Sequence, residues 1–134
     1  MADTGELTEL GHDECLRLLA DALIGRVEFT EAALPAAHPV TYLLDGDEVV
    51  FRTADGAKLA AATLRHVVAF QVDDVDPSAR TGWSVLGVGE AYEVTDSRRL
   101  ADLAARLPAP WAADQDGHTV AIPLQSLTGR VVGP

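Results

Sequence analysis

Short β-rich runs separated by glycine- and proline-containing breaks most constrain what this chain can fold into. The clearest are His38–Leu44 and Glu48–Thr53, joined by Asp45-Gly46-Asp47, a sequence typical of a hairpin turn. Further predicted strands are Gly25–Thr30, Val67–Val72, Trp83–Val94, His118–Pro123 and Leu127–Val132. Their irregular spacing predicts a small closed or partly closed antiparallel barrel with peripheral helices, rather than a regular parallel sheet.

Apolar spacing and composition also predict helices around this sheet. The predicted helices are Asp13–Leu23, Ala57–Leu64 and a segment that begins at the N-cap Asp96 and stops before Pro108. Between the elements, Ala32–Pro39 is predicted as a proline-broken connection and Asp73–Arg80 as a charged loop. Gly87 and Gly89 lie within the longest β-rich run, which predicts a bent strand there.

Size and charge narrow the classes of function. The 134 residues suit a single domain, residues 1–134, with a core large enough to fold without disulfides. Ten basic against 21 acidic residues give a net charge of −11, which argues against nucleic acid and anionic membranes as partners. With one cysteine, an acidic N-terminus and no long apolar window, we expect a cytoplasmic protein without signal peptide or membrane span.

Familiar catalytic and metal-binding patterns are missing from the sequence. No serine lies in a G-x-S-x-G setting, and Cys15 lies inside a predicted helix, where a structural role is expected. The four histidines lack the spacing of zinc ligands, and the acidic run Asp73–Asp76 lacks that of an EF-hand loop. The sequence therefore predicts neither a hydrolase nor a metal site, and it singles out no catalytic residue.

One concentration of basic residues stands out in this acidic chain. Arg52, Lys58 and Arg65 fall within 14 residues, and Thr53 and Gly56 lie between the first two. If a strand ends at Thr53 and a helix begins near Lys58, then charged groups, a hydroxyl and backbone N–H groups converge, as suits a phosphate monoester. The alternative is that these charges balance nearby aspartates at the surface.

Five short motifs in order resemble a known family. They are P-V-x-Y at Pro39–Tyr42, D-G-D at Asp45–Asp47, F-R-T-x-x-G-x-K-L at Phe51–Leu59, V-A-F-x-V-D at Val68–Asp73 and T-G-W-S-V at Thr81–Val85. This series resembles the pyridoxamine 5′-phosphate oxidase-like flavin-binding family, and more narrowly its small actinobacterial members related to nitroimidazole-resistance flavoproteins. The resemblance spans nearly the whole chain, from about Glu14 to Arg130.

The resemblance implies a fold and a cofactor. The expected fold is mainly β: a six-stranded antiparallel split β-barrel with peripheral helices. It would form a homodimer and bind FMN in clefts at the dimer interface. Arg52 and Lys58 would hold the FMN phosphate, and Thr53 would contact the phosphate or the ribityl chain.

The resemblance also implies contacts for the flavin ring and for a substrate. Val40, Thr41 and Tyr42 would lie along the isoalloxazine ring, and Trp83 and Ser84 would line the same cleft. The weaker candidates for substrate contact are Trp111 and Arg130. A structural role is the alternative for these last two residues and for Trp83.

The implied activity is an FMN-dependent oxidoreductase that reduces a small organic acceptor with a reduced nicotinamide cofactor. Thr41 stands where many relatives have Asn, and the longer C-terminal segment of true pyridoxamine phosphate oxidases is not present, so vitamin B6 chemistry is not predicted. Three alternatives stay open. They are a deazaflavin (F420) reductase, which would want more basic residues, a haem-handling protein using His66 or His118, and a non-catalytic flavin carrier or sensor.

Overall fold

The computed structural model describes residues 6–110 and 117–133. Within these ranges the chain forms ten strands and three helices. The strands are β1 Glu6–Glu9, β2 Ile24–Glu31, β3 Leu34–Thr41, β4 Leu43–Asp45, β5 Glu48–Thr53, β6 Val67–Asp76, β7 Thr81–Glu90, β8 Tyr92–Glu93, β9 His118–Pro123 and β10 Ser126–Gly133. The helices are α1 His12–Asp21, α2 Gly56–Thr63 and α3 Ser97–Arg106.

The strands form two antiparallel sheets. The large sheet has six strands in the order β1-β10-β7-β6-β2-β3, and the small sheet has four in the order β4-β5-β9-β8. Apolar side chains from both sheets, α1 and α2 form the main core, which includes Phe51 and Phe70. A second cluster, around Val50 and Leu103, packs α3 against the small sheet. The predicted antiparallel β fold with peripheral helices is confirmed.

The predicted hairpin is confirmed at its turn but is wrong in the extent of its first arm. β4 and β5 pair around the turn, with Asp45 opposite Glu48 and Gly46 at φ +64°. The run His38–Leu44, however, is divided at Tyr42, because its first part belongs to β3 in the large sheet. A continuous β-rich run therefore serves two sheets, which local pattern alone does not reveal.

The predicted connection Ala32–Pro39 is mostly a strand. β3 pairs with β2 over its whole length, and Ala32 and Ala33 form the tight turn with φ of +50° and +65°. β3 is an edge strand of the large sheet, where a proline does not remove a needed ladder hydrogen bond. The two prolines of β3 are therefore compatible with the sheet.

The predicted loop Asp73–Arg80 is also shorter than expected. β6 continues to Asp76, which lies opposite Thr81 of β7, so only residues 77–80 form the turn. The predicted bent strand is confirmed, since the chain leaves the large sheet after Glu90 and enters the small sheet as β8. A Cβ at Gly89 would lie 1.7 Å from the Pro123 carbonyl oxygen, so only glycine fits this crossing point.

Candidate functional site

The end of β3 and the start of α2 meet in space, although they are well separated in sequence. His38 Nδ1 lies 3.8 Å from Asp55 Oδ2, and the His38 ring stacks edge-on against Phe29, with 5.1 Å between centroids. This contact joins the segment that contains Val40 to the segment that contains Lys58. The residues predicted to lie along the flavin ring, Val40–Tyr42, are therefore close to those predicted at the phosphate, Thr53–Lys58.

α2 begins where Asp55 caps it. One carboxylate oxygen of Asp55 accepts hydrogen bonds from Ala57 N at 2.9 Å and Lys58 N at 3.2 Å. Asp55 N in turn donates to Thr53 Oγ1 at 2.9 Å. An N-cap carboxylate satisfies N–H groups that have no partner within the helix and also favours the positive end of its dipole. Two of the N–H groups at the start of α2, those of Ala57 and Lys58, are thus already hydrogen-bonded within the chain.

The predicted phosphate-binding residues do not all lie on the same side of β5. Thr53 and Lys58 are both buried, at 0% and 3% exposed, and Lys58 lines a small cavity in the main core beside Phe51. Arg52 is half-buried and lies on the other face of β5, the face that carries Val50 toward α3. The structure therefore brings Thr53, Lys58 and the start of α2 together, and it places Arg52 on the opposite side of the strand.

Val40, Thr41 and Tyr42 are all buried at the end of β3. The Tyr42 hydroxyl donates to the Leu19 carbonyl oxygen at 2.6 Å, and its ring stacks edge-on against Phe70. Burial raises the pKa of Tyr42 above its ordinary value. The side chains of Val40 and Tyr42 belong to the core, so the contact expected with a flat ring falls mainly to the backbone of this segment.

Ser84 and Arg130 lie opposite each other on the adjacent strands β7 and β10. Both line an open groove of about 390 Å³ on the side of the large sheet that faces away from the core, together with Glu28 and Gln71. Trp83 is half-buried and packs on the opposite face of β7, against the main core. Trp111 lies outside the described residues.

Sequence reasoning missed several polar residues near this site. Asp55 directly precedes the helix at Gly56, so the N-cap preference for aspartate could have identified it. His38 reaches Asp55 only through the pairing of β3, which has no local signal. His118, which the sequence indicated only for the haem alternative, is also placed here by strand pairing: it lies opposite Thr53, and its Nδ1 is 2.7 Å from Glu93 Oε2.

The outer face of the large sheet, meaning the side turned away from the core, carries exposed apolar side chains. Among the described residues these are Leu7, Val67, Val75, Leu86 and Val132. Near Val67 an open groove of about 410 Å³ runs along β2, β3 and β6. Extended apolar patches of this kind mark interaction surfaces more often than isolated exposed residues do.

In residues 6–110 and 117–133, no three His, Cys, Asp or Glu side chains are grouped so that they could hold a metal ion. None of the helices there is both long and apolar enough to cross a membrane.

Comparison with known proteins agrees with this architecture. The sequence pattern described as pyridoxamine 5′-phosphate oxidase matches residues 11–131. The protein Rv0080 of Mycobacterium tuberculosis is 44% identical over 133 residues, which cover 95% of this chain and 87% of that protein.

Solved structures show the same split-barrel fold. The FAD binding protein of Mycobacterium smegmatis is 31% identical, has a TM-score of 0.76, and is matched over 95% of this chain and 99% of its own. The FAD and heme binding protein of the same organism has a TM-score of 0.70 at 16% identity, matching 92% of this chain and 73% of its own. The chain described here therefore belongs to the pyridoxamine 5′-phosphate oxidase family and has its split-barrel fold.

Proposed function

We propose that this protein binds FMN or a related flavin and acts as an oxidoreductase on a small organic acceptor, with NAD(P)H as the electron donor. The observation that carries the proposal is the contact between His38 and Asp55, whose Nδ1 and Oδ2 atoms are 3.8 Å apart. It sets the segment expected along the flavin ring, Val40–Tyr42, beside the segment expected at the phosphate, Thr53–Lys58. A flavin is long enough to need both segments in one site.

Relatives support a flavin as the class of cofactor. A solved structure 31% identical to this chain is an FAD binding protein, and a more distant one of the same fold is an FAD and heme binding protein. Lys58 and the Thr53 hydroxyl supply suitable groups at the phosphate end. The fit there is incomplete, because both residues are buried and the Asp55 carboxylate already accepts from Ala57 N and Lys58 N.

The proposal includes a homodimer. The outer face of the large sheet carries exposed apolar side chains and open grooves, and a second copy would cover it. A two-fold interface supplies two equivalent clefts, and each would be bounded by residues of both copies. Ser84 and Arg130, which line a groove on this face, would then lie near a bound acceptor.

A bound flavin supplies hydride and electron transfer at its own ring, so the protein need only bind, orient and shield it. Because the flavin itself carries out the transfer, the protein does not need an acid–base or nucleophilic motif, and the sequence contains none that is familiar. A cytoplasmic location is part of the proposal, because the one cysteine, Cys15, is a buried free thiol.

Titration of the purified full-length protein with riboflavin, FMN, FAD, a deazaflavin and haem tests the cofactor class. We expect quenching of flavin fluorescence on binding, followed by NAD(P)H oxidation with a quinone or nitro compound as acceptor. Binding of haem or deazaflavin alone would replace the proposal with one of the other cofactors, and binding of none would refute it. Flavin binding without turnover would identify a carrier or sensor.

The Arg52→Ala variant tests whether this residue contributes to the phosphate end despite its position on the α3 side of β5. Loss of a charge-assisted hydrogen bond should weaken FMN about tenfold and leave riboflavin, which has no phosphate, nearly unchanged. Arg98→Ala removes an exposed arginine from α3 and serves as the matched control. Equal losses for FMN and riboflavin, or none, would show that Arg52 does not contact the phosphate.

A further inference from the structure

Two side chains of opposite charge lie at the two ends of one groove on the outer face of the large sheet. Glu28 and Arg130 both line this groove, which has a volume of about 390 Å³. We propose that Arg130 of each copy pairs with Glu28 of the second copy, which gives a two-fold dimer two symmetric ion pairs. This rests on the homodimer proposed above and goes beyond it by naming the charges that join the two copies.

The Arg130 guanidinium and the Glu28 carboxylate have no ion pair and no side-chain hydrogen bond to any residue in 6–110 or 117–133. Glu28 is already half-buried, and a second copy on this face would remove both groups further from water. Charges taken out of water cost free energy unless they are paired. A copy that covers this face therefore has to supply a partner for each of them.

Arg130 and Glu28 of the same copy are too far apart to pair with each other. The register of the sheet places Glu28 of β2 in line with Ser126 of β10, three strand spacings away and four residues before Arg130. With the usual spacing between strands and rise along them, the two Cα atoms are about 20 Å apart. This distance exceeds the combined length of the two side chains, so the partner of each has to come from another molecule.

Other charged groups on the same face do not take these two roles. Arg26, a second arginine of this face, already pairs with Asp73, with 3.6 Å between Nη1 and Oδ2. Glu9 lies opposite Arg130 on the neighbouring strand β1, yet the two side chains form no ion pair. Arg130 is thus a cation on this face with no partner among the described residues, and Glu28 is its counterpart at the other end of the groove.

Two-fold symmetry converts this arrangement into two identical contacts. In an interface of this kind, a residue that contacts a second residue of the other copy is itself contacted in the same way. Leu86 and Gln71 lie opposite each other between the two charges, so they would lie near the two-fold axis. Each copy carries a net charge of −11, and the two ion pairs offset part of the repulsion between the copies.

Charge-exchange variants of the full-length protein test the pairing, and the measured quantity is the dissociation constant of the dimer from sedimentation equilibrium. Arg130→Glu and Glu28→Arg should each weaken the dimer at least about a hundredfold, because each variant sets like charges against each other at two symmetric positions. The double variant Arg130→Glu/Glu28→Arg restores opposite charges with their positions exchanged. Its dissociation constant should return to within about tenfold of that of the unsubstituted protein. A fault in folding would not be repaired by the second substitution.

Glu31→Arg is the matched control. It makes the same change in charge as Glu28→Arg on the same strand, but alternation along β2 places Glu31 on the other face. Alone it should change the dissociation constant by less than about twofold, and in the double variant Arg130→Glu/Glu31→Arg it should not restore the dimer. Recovery of the dimer by Glu31→Arg as well as by Glu28→Arg would overturn the inference, because net charge rather than the pair would explain the result.

The remaining outcomes separate this inference from the proposed function. A dimer that neither Arg130→Glu nor Glu28→Arg weakens would overturn the inference alone and would leave the groove to another occupant, such as a small anionic ligand at Arg130. A monomeric unsubstituted protein would overturn the homodimer together with the inference. Restoration of the dimer by the double variant in a protein that binds no flavin would support the pairing and refute the flavin-binding function.

Discussion

At the scale of single residues, Tyr42 shows how a motif residue can serve the core. Its ring is buried against Phe70, and its hydroxyl donates to the Leu19 carbonyl oxygen, which ties the end of β3 to α1. Burial raises the pKa of the phenol, since the charged form would lose its hydration. The family motif at Pro39–Tyr42 therefore carries a structural requirement as well as the expected cofactor contact.

Tyr42→Phe should lower the free energy of unfolding by about 1 kcal/mol at neutral pH, because one buried hydrogen bond is lost and the Leu19 oxygen loses its donor. The folded state binds the phenolic proton more tightly than the unfolded state does. The stabilisation of the fold by the Tyr42 hydroxyl is therefore constant at lower pH. It declines as pH rises above about 10, the ordinary tyrosine pKa. The free energy of unfolding, measured with urea across an alkaline pH series, should decline less steeply with pH in Tyr42→Phe than in the unsubstituted protein. Equal slopes of unfolding free energy against pH in the two proteins would show that the Tyr42 hydroxyl does not cause the decline.

At the scale of elements, α3 shows how a helix that is evident in the sequence is held by contacts that are not. Arg99 donates to Glu48 at 2.8 Å and to Asp45 at 3.3 Å, and it also donates to the Tyr92 hydroxyl. Hydrogen bonds to Glu48 and Tyr92 raise the pKa of Arg99 further above its ordinary value. Arg65 contributes from the other direction, with its guanidinium 5.8 Å from the Tyr92 ring centroid. The network fastens α3 to the β4–β5 hairpin and to β8.

Arg99→Ala should lower the free energy of unfolding by roughly 1–3 kcal/mol, because among the described residues Glu48 loses its hydrogen-bonded cation and keeps only the Tyr92 hydroxyl, while Asp45 keeps only Arg106. Hydrogen exchange should show the largest loss of protection in α3. The neighbouring Arg98 is exposed, so Arg98→Ala should change stability by no more than about 0.5 kcal/mol. An effect of similar size for both variants would mean that the network does not hold the helix.

At the scale of the whole molecule, the outer face of the large sheet is the surface most suited to a second copy. Its apolar side chains come from β1, β6, β7 and β10, which only the sheet order brings together. Polar contacts also lie on it, since Arg26 donates to Gln71 at 3.2 Å and Gln71 donates to Asp73 at 3.1 Å. Such a mixture is common at interfaces, where polar groups fix the register of apolar surfaces.

Leu86→Glu should convert the proposed dimer into a monomer, because it places a charge in the centre of the covered face. Sedimentation velocity should give a mass near 14.2 kDa for the variant and near twice that for the unsubstituted protein. Flavin affinity should fall when the dimer is lost, because the proposed cleft needs both copies. Leu64→Glu is the control, since Leu64 is exposed at the end of α2 and away from this sheet. A monomeric unsubstituted protein that binds flavin would contradict the proposal.

Much of the fold was predictable because its signals are local. Apolar spacing identified α1 and α3, the Asp96 cap was identified correctly, and the turn at Gly46 followed from its D-G-D sequence. The glycines of β7 indicated the bend that the close approach of Gly89 to Pro123 requires. Such features depend on residues within a few positions of one another, which the sequence displays directly.

The candidate site was predictable only as two segments of chain. The motifs identified the end of β3 and the start of α2, whereas the contact that joins them depends on which strands pair. Alternation along β5 decided that Arg52 and Thr53 face opposite ways, and burial decided that Tyr42 points into the core.

The sequence by itself thus determined most of the kinds of element and the family. Only the tertiary structure decided that β3 is an edge strand despite its prolines, that Asp55 accepts from Ala57 N and Lys58 N, and that apolar side chains of β1, β6, β7 and β10 lie exposed on one sheet face. The physical reason is the range of the interactions. Helix periodicity and turn chemistry act between near neighbours, whereas strand pairing, register and burial depend on residues far apart in the chain.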